Sequence, residues 1–179
     1  MLTSPARTLT EFLDASWLAG VDATTRMTIW KALDERILPP GGPLFEQGQP
    51  NHQLWFVAEG AVAIERSRGG SRPEVIAELD GPALYGTTTF FRNSLPTMTI
   101  RARTDVRGWT LDRPSYDRLR AEHPEAAEAL ALTVVRVLAE RFDQLDRRLS
   151  SLMADHDDAH PRKTEWANFR SRLFDEPAA

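Results

Sequence analysis

The residues best placed to touch a ligand lie between Gly81 and Thr104, in the stretch GPALYGTTTFFRNSLPTMTIRART. It has the layout of a phosphate-binding loop between two strands. Gly86 is followed by three hydroxyl side chains, Thr87, Thr88 and Thr89, and the chain returns through Thr97, Met98 and Thr99. Glycine allows a positive φ and a close backbone approach, and threonine adds hydroxyls to the backbone N–H groups of the turn. An anion would also require a cationic side chain for a charge-assisted bond, and both flanks of this loop are uncharged. Arg92 sits inside it and can fold back, although a solvated surface arginine is the plainer account. Thr87 to Thr89 therefore suit a neutral or weakly charged ligand, or simply cap a short helix.

Other chemistry is sparse. His156 and His160 stand at i, i+4 with Asp155, Asp157 and Asp158 nearby, a spacing that on a helix places two imidazoles on one face for a metal. Pro161 follows at once, so a solvated linker is favoured and no metal site is assigned. The sequence contains no Gly-x-Ser-x-Gly nucleophile elbow, no Walker loop and no His-Glu-x-x-His. No catalytic residue and no required cofactor is expected.

The bulk composition narrows the classes further. The 179 residues, 41% hydrophobic, suffice for one compact core with additional helices. A net charge of -4 and a pI near 5.6 oppose a general nucleic-acid surface, which needs clustered Lys and Arg. The absence of cysteine excludes disulfides and thiolate sites. No stretch reaches the roughly 18 apolar residues of a membrane span, and the first residues lack a signal-peptide run. The expectation is a cytoplasmic protein.

The elements that must position the loop follow from periodicity. Leu9, Phe12, Leu13, Trp17 and Leu18, then Met27, Trp30, Leu33 and Ile37, recur at helical steps, predicting N-terminal helices over residues 1–38. Pro39, Pro40, Gly41 and Gly42 end that pattern. Over 39–112 short apolar or alternating segments between turn residues predict an antiparallel β-roll or jelly roll. Helical spacing returns over 113–154, with Pro114 and Pro124 suited to first turns. Along the second of these helices Ala131, Val135, Leu138, Phe142, Leu145, Leu149 and Leu152 step alternately by four and three, as in a heptad seam. Residues 155–179 read as a polar linker and a short amphipathic tail presenting Trp166, Phe169, Leu173 and Phe174.

This order resembles the cyclic-nucleotide-binding domain family over about residues 20 to 145. The matching segments are PPGGPLFEQG, LWFVAEGAVAI with its turn glycine Gly60, GPALYG ending at Gly86, and IRARTDVRGWTLDRPSYDRLRAEHPE. The resemblance implies a loop-helix cassette after Gly86 whose backbone N–H groups face a cyclic phosphate, a glutamate for the ribose and an arginine for the phosphate. Aligned without gaps, the glutamate position holds Thr87 and the arginine position holds Pro96, or Thr97 after a shift of one residue. With Met98, Ile100 and Ala102 placed inward by the resemblance, strand alternation turns Arg101 and Arg103 to solvent.

The resemblance thus implies the fold of a cyclic-nucleotide receptor, with cAMP or cGMP disfavoured as a ligand and the cassette residues Gly86 to Thr89 and Thr97 to Thr99 as the candidate site. It also implies a homodimer along the seam Val135, Leu138, Phe142, Leu145, Leu149 and Leu152. The stretch after Ala154 is too short for the winged helix-turn-helix that many relatives append, so DNA binding is disfavoured. A protein partner is the expected output, with Trp166, Phe169, Leu173 and Phe174 as its candidate docking residues.

Overall fold

The computed structural model describes residues 5–69, 72–92 and 94–154, with side chains described from residue 9 to residue 151 within those ranges. Helix α1 (Pro5–Leu13), a 3-10 turn at Ser16–Leu18 and helix α2 (Ala23–Lys31) precede eight strands. These are β1 (Asp34–Leu38), β2 (Pro43–Phe45), β3 (Gln53–Glu59), β4 (Ala61–Arg66), β5 (Glu74–Asp80), β6 (Ala83–Tyr85), β7 (Thr99–Ala102) and β8 (Val106–Asp112). Helices α3 (Arg113–Glu122) and α4 (Pro124–Ala154) follow.

The strands form two antiparallel sheets, β1-β8-β3-β6 and β2-β7-β4-β5. Alternation along β3 sends its side chains to two different cores. Leu54 and Phe56 pack with Phe12, Trp17, Trp109, Leu111, Leu130 and Val134 beneath the helices. Trp55 and Val57 face the space between the sheets, with Leu44, Val62, Tyr85, Ile100 and Ala102. That double coverage is why LWFV reads as a continuous apolar run. At the other extreme, edge strand β5 is exposed along most of its length.

One sequence expectation is corrected. The helical pattern carried as far as Ile37 stops at Lys31, and residues 34–38 are a strand paired in register with β8, from Asp34 opposite Thr110 to Leu38 opposite Val106. Ile37 is exposed on this edge strand, so its spacing from Trp30 and Leu33 reflects no buried helical face.

Two arginines tie helices to the rest of the fold. Arg107 of β8 is buried and donates to Glu11 of α1 at 2.5 Å and to Glu59 at 3.3 Å. Burial disfavours its charge, but the bonds from Glu59 and Glu11 outweigh that and hold the guanidinium above its usual value. Arg136 of α4 donates to the backbone carbonyls of Trp17 and Ala19, which the 3-10 turn leaves without helical partners.

Residues up to Leu138 form one compact unit and those from Ala139 a second. In the first unit the α4 side chains that reach the core are Ala126, Ala127, Leu130 and Val134. Val135 is 60% exposed. In the described part of the second unit α4 continues to Ala154 and exposes Phe142 and Leu145, at 51% and 56%.

Asp112 caps α3 by accepting from Ser115 N–H at 2.8 Å, and the Ser115 side chain and backbone hold its carboxyl below 3.8. A carboxylate with a lowered folded-state value contributes stability above its unfolded value and loses it as pH falls through the folded value. Asp112→Ala is expected to cost about 1 kcal/mol near neutral pH. In urea denaturation across a pH series the gap between the two proteins should close below about pH 4; a gap independent of pH would refute the cap.

Candidate functional site

The cassette begins where β6 ends. Gly86 has φ of +83°, and a Cβ there would lie 2.4 Å from the Gln53 carbonyl oxygen and 3.0 Å from Asn51 Nδ2. Conformation and space both demand glycine. The next residues make one tight turn, with Thr89 N–H and Phe90 N–H donating to the Gly86 carbonyl at 3.2 and 2.9 Å. Thr89 is buried; its hydroxyl accepts from Asn51 Nδ2 at 3.0 Å and donates to the Gly86 carbonyl at 3.3 Å. Asn51 completes the clasp by donating to the Gln53 carbonyl at 2.9 Å and accepting from Gln53 N–H at 3.2 Å. The far end is held by α3: Arg113 donates to the Phe90 carbonyl at 3.0 Å and lies over the rings of Phe90 and Tyr116.

The return segment places no cation toward the roll interior. Pro96 is buried, and its carbonyl accepts from Gly48 N–H at 2.9 Å. Thr99 accepts from Gln47 N–H at 2.9 Å. Ile100 and Ala102 are buried in the inter-sheet core, and Arg101 and Arg103 leave on the opposite face. Both lie on the outer face, as alternation predicts, and both are ion-paired there. Arg101 donates to Glu65 at 3.1 Å and to the Gly41 carbonyl at 2.9 Å, and it pairs with Glu46 at 3.5 Å. Arg103 pairs with Glu78 at 2.9 Å. The interior is aromatic and aliphatic, and Trp55 Nε1 has no hydrogen-bonding partner there among the described residues.

Arg92 stands apart from these. With Thr87 and Thr88 it lines a groove of about 510 Å³ on the α4 side of the cassette, whose other walls are Phe91, Ala131, Val134, Val135 and Leu138.

Residues 35–123 match the family described as the cyclic nucleotide-binding domain. This chain belongs to that family. It is similar to the CRP-like cAMP-activated global transcriptional regulator of Mycobacterium tuberculosis, 26% identical over 75% of this chain and 58% of the relative. The cyclic AMP receptor protein of Thermus thermophilus is 30% identical over 62% of this chain and 51% of the relative. The chain thus spans between half and three-fifths of these two relatives. A cyclic nucleotide-binding domain from Methylobacillus flagellatus KT superposes with a TM-score of 0.72 at 16% identity, covering 81% of this chain and 84% of that one.

In this cyclic nucleotide-binding domain the structure brings Gly86 to Thr89 together as one turn and sets Thr97 to Thr99 on the segment leading into β7. Two supporting residues were not singled out from the sequence, Asn51 and Arg113. Each acts on a backbone or hydroxyl group distant in the chain, so local pattern carries no signal for Asn51. Arg113 did stand in the recognised segment beside Pro114. Residues Trp166, Phe169, Leu173 and Phe174, with His156 and His160, lie outside the described residues, as does the Leu152 side chain.

Replacing Gly86 with alanine is expected to destabilise the domain by about 1–3 kcal/mol and to raise hydrogen exchange at Thr89 and Phe90 above that of β3. Wild-type melting and protection in that variant would show that the approach to Gln53 is not required.

Proposed function

We propose that this chain is a non-catalytic regulatory or adaptor module, homodimeric through α4, whose cassette does not hold cAMP or cGMP in the usual way. The observation that carries this reading is buried Pro96 at the aligned arginine position, with Thr87 at the glutamate position. No nearby guanidinium compensates from the strand side, because Arg101 is held by Glu65, Glu46 and the Gly41 carbonyl on the outer face. Leaving a buried anion without its cation costs about 3–5 kcal/mol, or roughly two to three and a half decades of affinity. The relatives' names, a cAMP-activated regulator and a cyclic AMP receptor protein, support regulation as the class of function. Calorimetric titration is the direct test, with no saturable binding of cAMP or cGMP expected below about 100 μM. Saturable binding below about 10 μM would overturn the silent-cassette reading.

The dimer reading is supported by the exposed apolar side chains of α4. Leu132, Val135, Phe142 and Leu145 are each more than half exposed, and an apolar stripe of this kind on a helix is a liability unless something covers it. Residues on either side, Arg141, Asp143, Asp146, Arg147 and Arg148, set charges along the stripe. The double variant Leu145→Asp, Leu149→Asp is expected to be monomeric by light scattering; an unchanged mass would refute the helix-paired dimer. Among the described residues no helix is long and apolar enough to cross a membrane.

A second reading, in which the cassette senses a small molecule through atypical contacts, is favoured by one observation, the position of Arg92 in the groove with Thr87 and Thr88.

A further inference from the structure

The groove between the cassette and α4 mixes two kinds of lining residue. Arg92, Thr87 and Thr88 supply the polar groups, and Phe91, Ala131, Val134, Val135 and Leu138 supply the apolar wall. Its volume of about 510 Å³ falls within the usual 300–1,000 Å³ range of small-molecule sites, which combine apolar walls with a few orienting polar groups. Arg92 is the one ionised side chain that lines it. Arg101, Arg103, Arg107, Arg113 and Arg136 are each engaged by a carboxylate or a backbone carbonyl. Arg92 has no such partner among the described residues.

From this arrangement we infer that the groove is a binding site for an amphipathic monocarboxylate, its carboxylate on Arg92 and Thr88 and its hydrocarbon body along α4. The charge count selects a monoanion. A single guanidinium matches one carboxylate through two parallel hydrogen bonds, whereas a phosphate dianion among these apolar walls would keep most of its charge unpaired. The walls select the body. Phe91, Val134, Val135 and Leu138 offer no hydrogen bond, so the part of the ligand lying against them is hydrocarbon. The groove shares Thr87 and Thr88 with the cassette, and neither Pro96 nor a residue of β7 lines it. The inference rests on the sensor reading and names its ligand class. A bound carboxylate would touch the cassette and α4 at once, giving the regulatory module an input.

The test uses the full chain and decanoate below its aggregation concentration, followed by calorimetry and thermal shift, with decanol as the uncharged comparison. Saturable decanoate binding with a raised melting temperature is expected, and decanol should bind at least about tenfold more weakly. Arg92→Gln should weaken decanoate by about tenfold or more and leave decanol unchanged; because Arg92 is exposed, this variant is expected to keep the wild-type circular dichroism and melting temperature. No binding of decanoate up to about 1 mM, or equal affinity in wild type and Arg92→Gln, overturns the inference. Binding seen only in the monomeric Leu145→Asp, Leu149→Asp variant also overturns it, since the groove of the native protein would then be covered by a second copy. A parallel cAMP titration keeps the claims apart: cAMP binding that is insensitive to Arg92→Gln would count against the silent cassette alone.

Discussion

The constraint on which this structure depends is that the sheet β1-β8-β3-β6 has apolar side chains on both faces. Trp55 and Val57 need the second sheet, and Leu54, Phe56, Trp109 and Leu111 need the helices. An isolated sheet of this composition would leave large aromatic surfaces in water, at roughly 25 cal/mol for each Å². Helices from both ends of the chain are therefore part of the same core as the roll. Phe12 of α1 meets Phe56 and Trp109 edge to face, with ring centroids 6.0 and 5.3 Å apart. The pair between buried Arg107 and half-buried Glu11 then fixes which part of α1 meets β8. Such a pair adds little net stability, since desolvation offsets most of its attraction, and without Glu11 the buried guanidinium would keep Glu59 as its partner.

The same covered sheet positions the cassette. Gly86 leaves β6 against the carbonyl of Gln53 on β3, and Asn51 and Thr89 lock the turn to that strand. These contacts are satisfied within the protein, so the turn keeps its shape without any bound group. The backbone geometry of the cassette is held by α3 and β3.

Much of this was legible in the sequence, for physical reasons that differ by element. Strands β3, β4, β7 and β8 announce themselves because their side chains are buried on one or both faces, and the helix starts at Pro114 and Pro124 because proline suits a first turn. Strand β1 did not, because Asp34, Glu35 and Arg36 are polar and exposed at a sheet edge, where pairing with β8 and not burial defines the strand. Helix α4 carries two apolar faces one position apart. The heptad spacing marks Ala131 and Val135, while Leu130 and Val134 reach the core, a face the sequence did not single out because adjacent apolar residues such as Val134 and Val135 fit two stripes equally well. Thr87 and Pro96 at the aligned glutamate and arginine positions were readable residue by residue. The Asn51–Thr89 contact, spanning 38 positions, was not.

Strand β5 bears on how this molecule stays separate from its neighbours. Its inner face carries Leu79 opposite Val62 and Ala77 opposite Ile64, with Glu78 and Asp80 on the outer face, and beyond a bulge the register shifts so that Val75 lies opposite Glu65 and Glu74 opposite Arg66. A free edge with three half-exposed aliphatic side chains would otherwise be a template for another extended chain. Any strand that added here would bring its own backbone beside a row of carboxylates, of which only Glu78 is balanced by a described ion pair, to Arg103. The acidic excess of the chain as a whole is thus spent partly on an open margin, where it discourages fibre-like stacking of one roll upon the next.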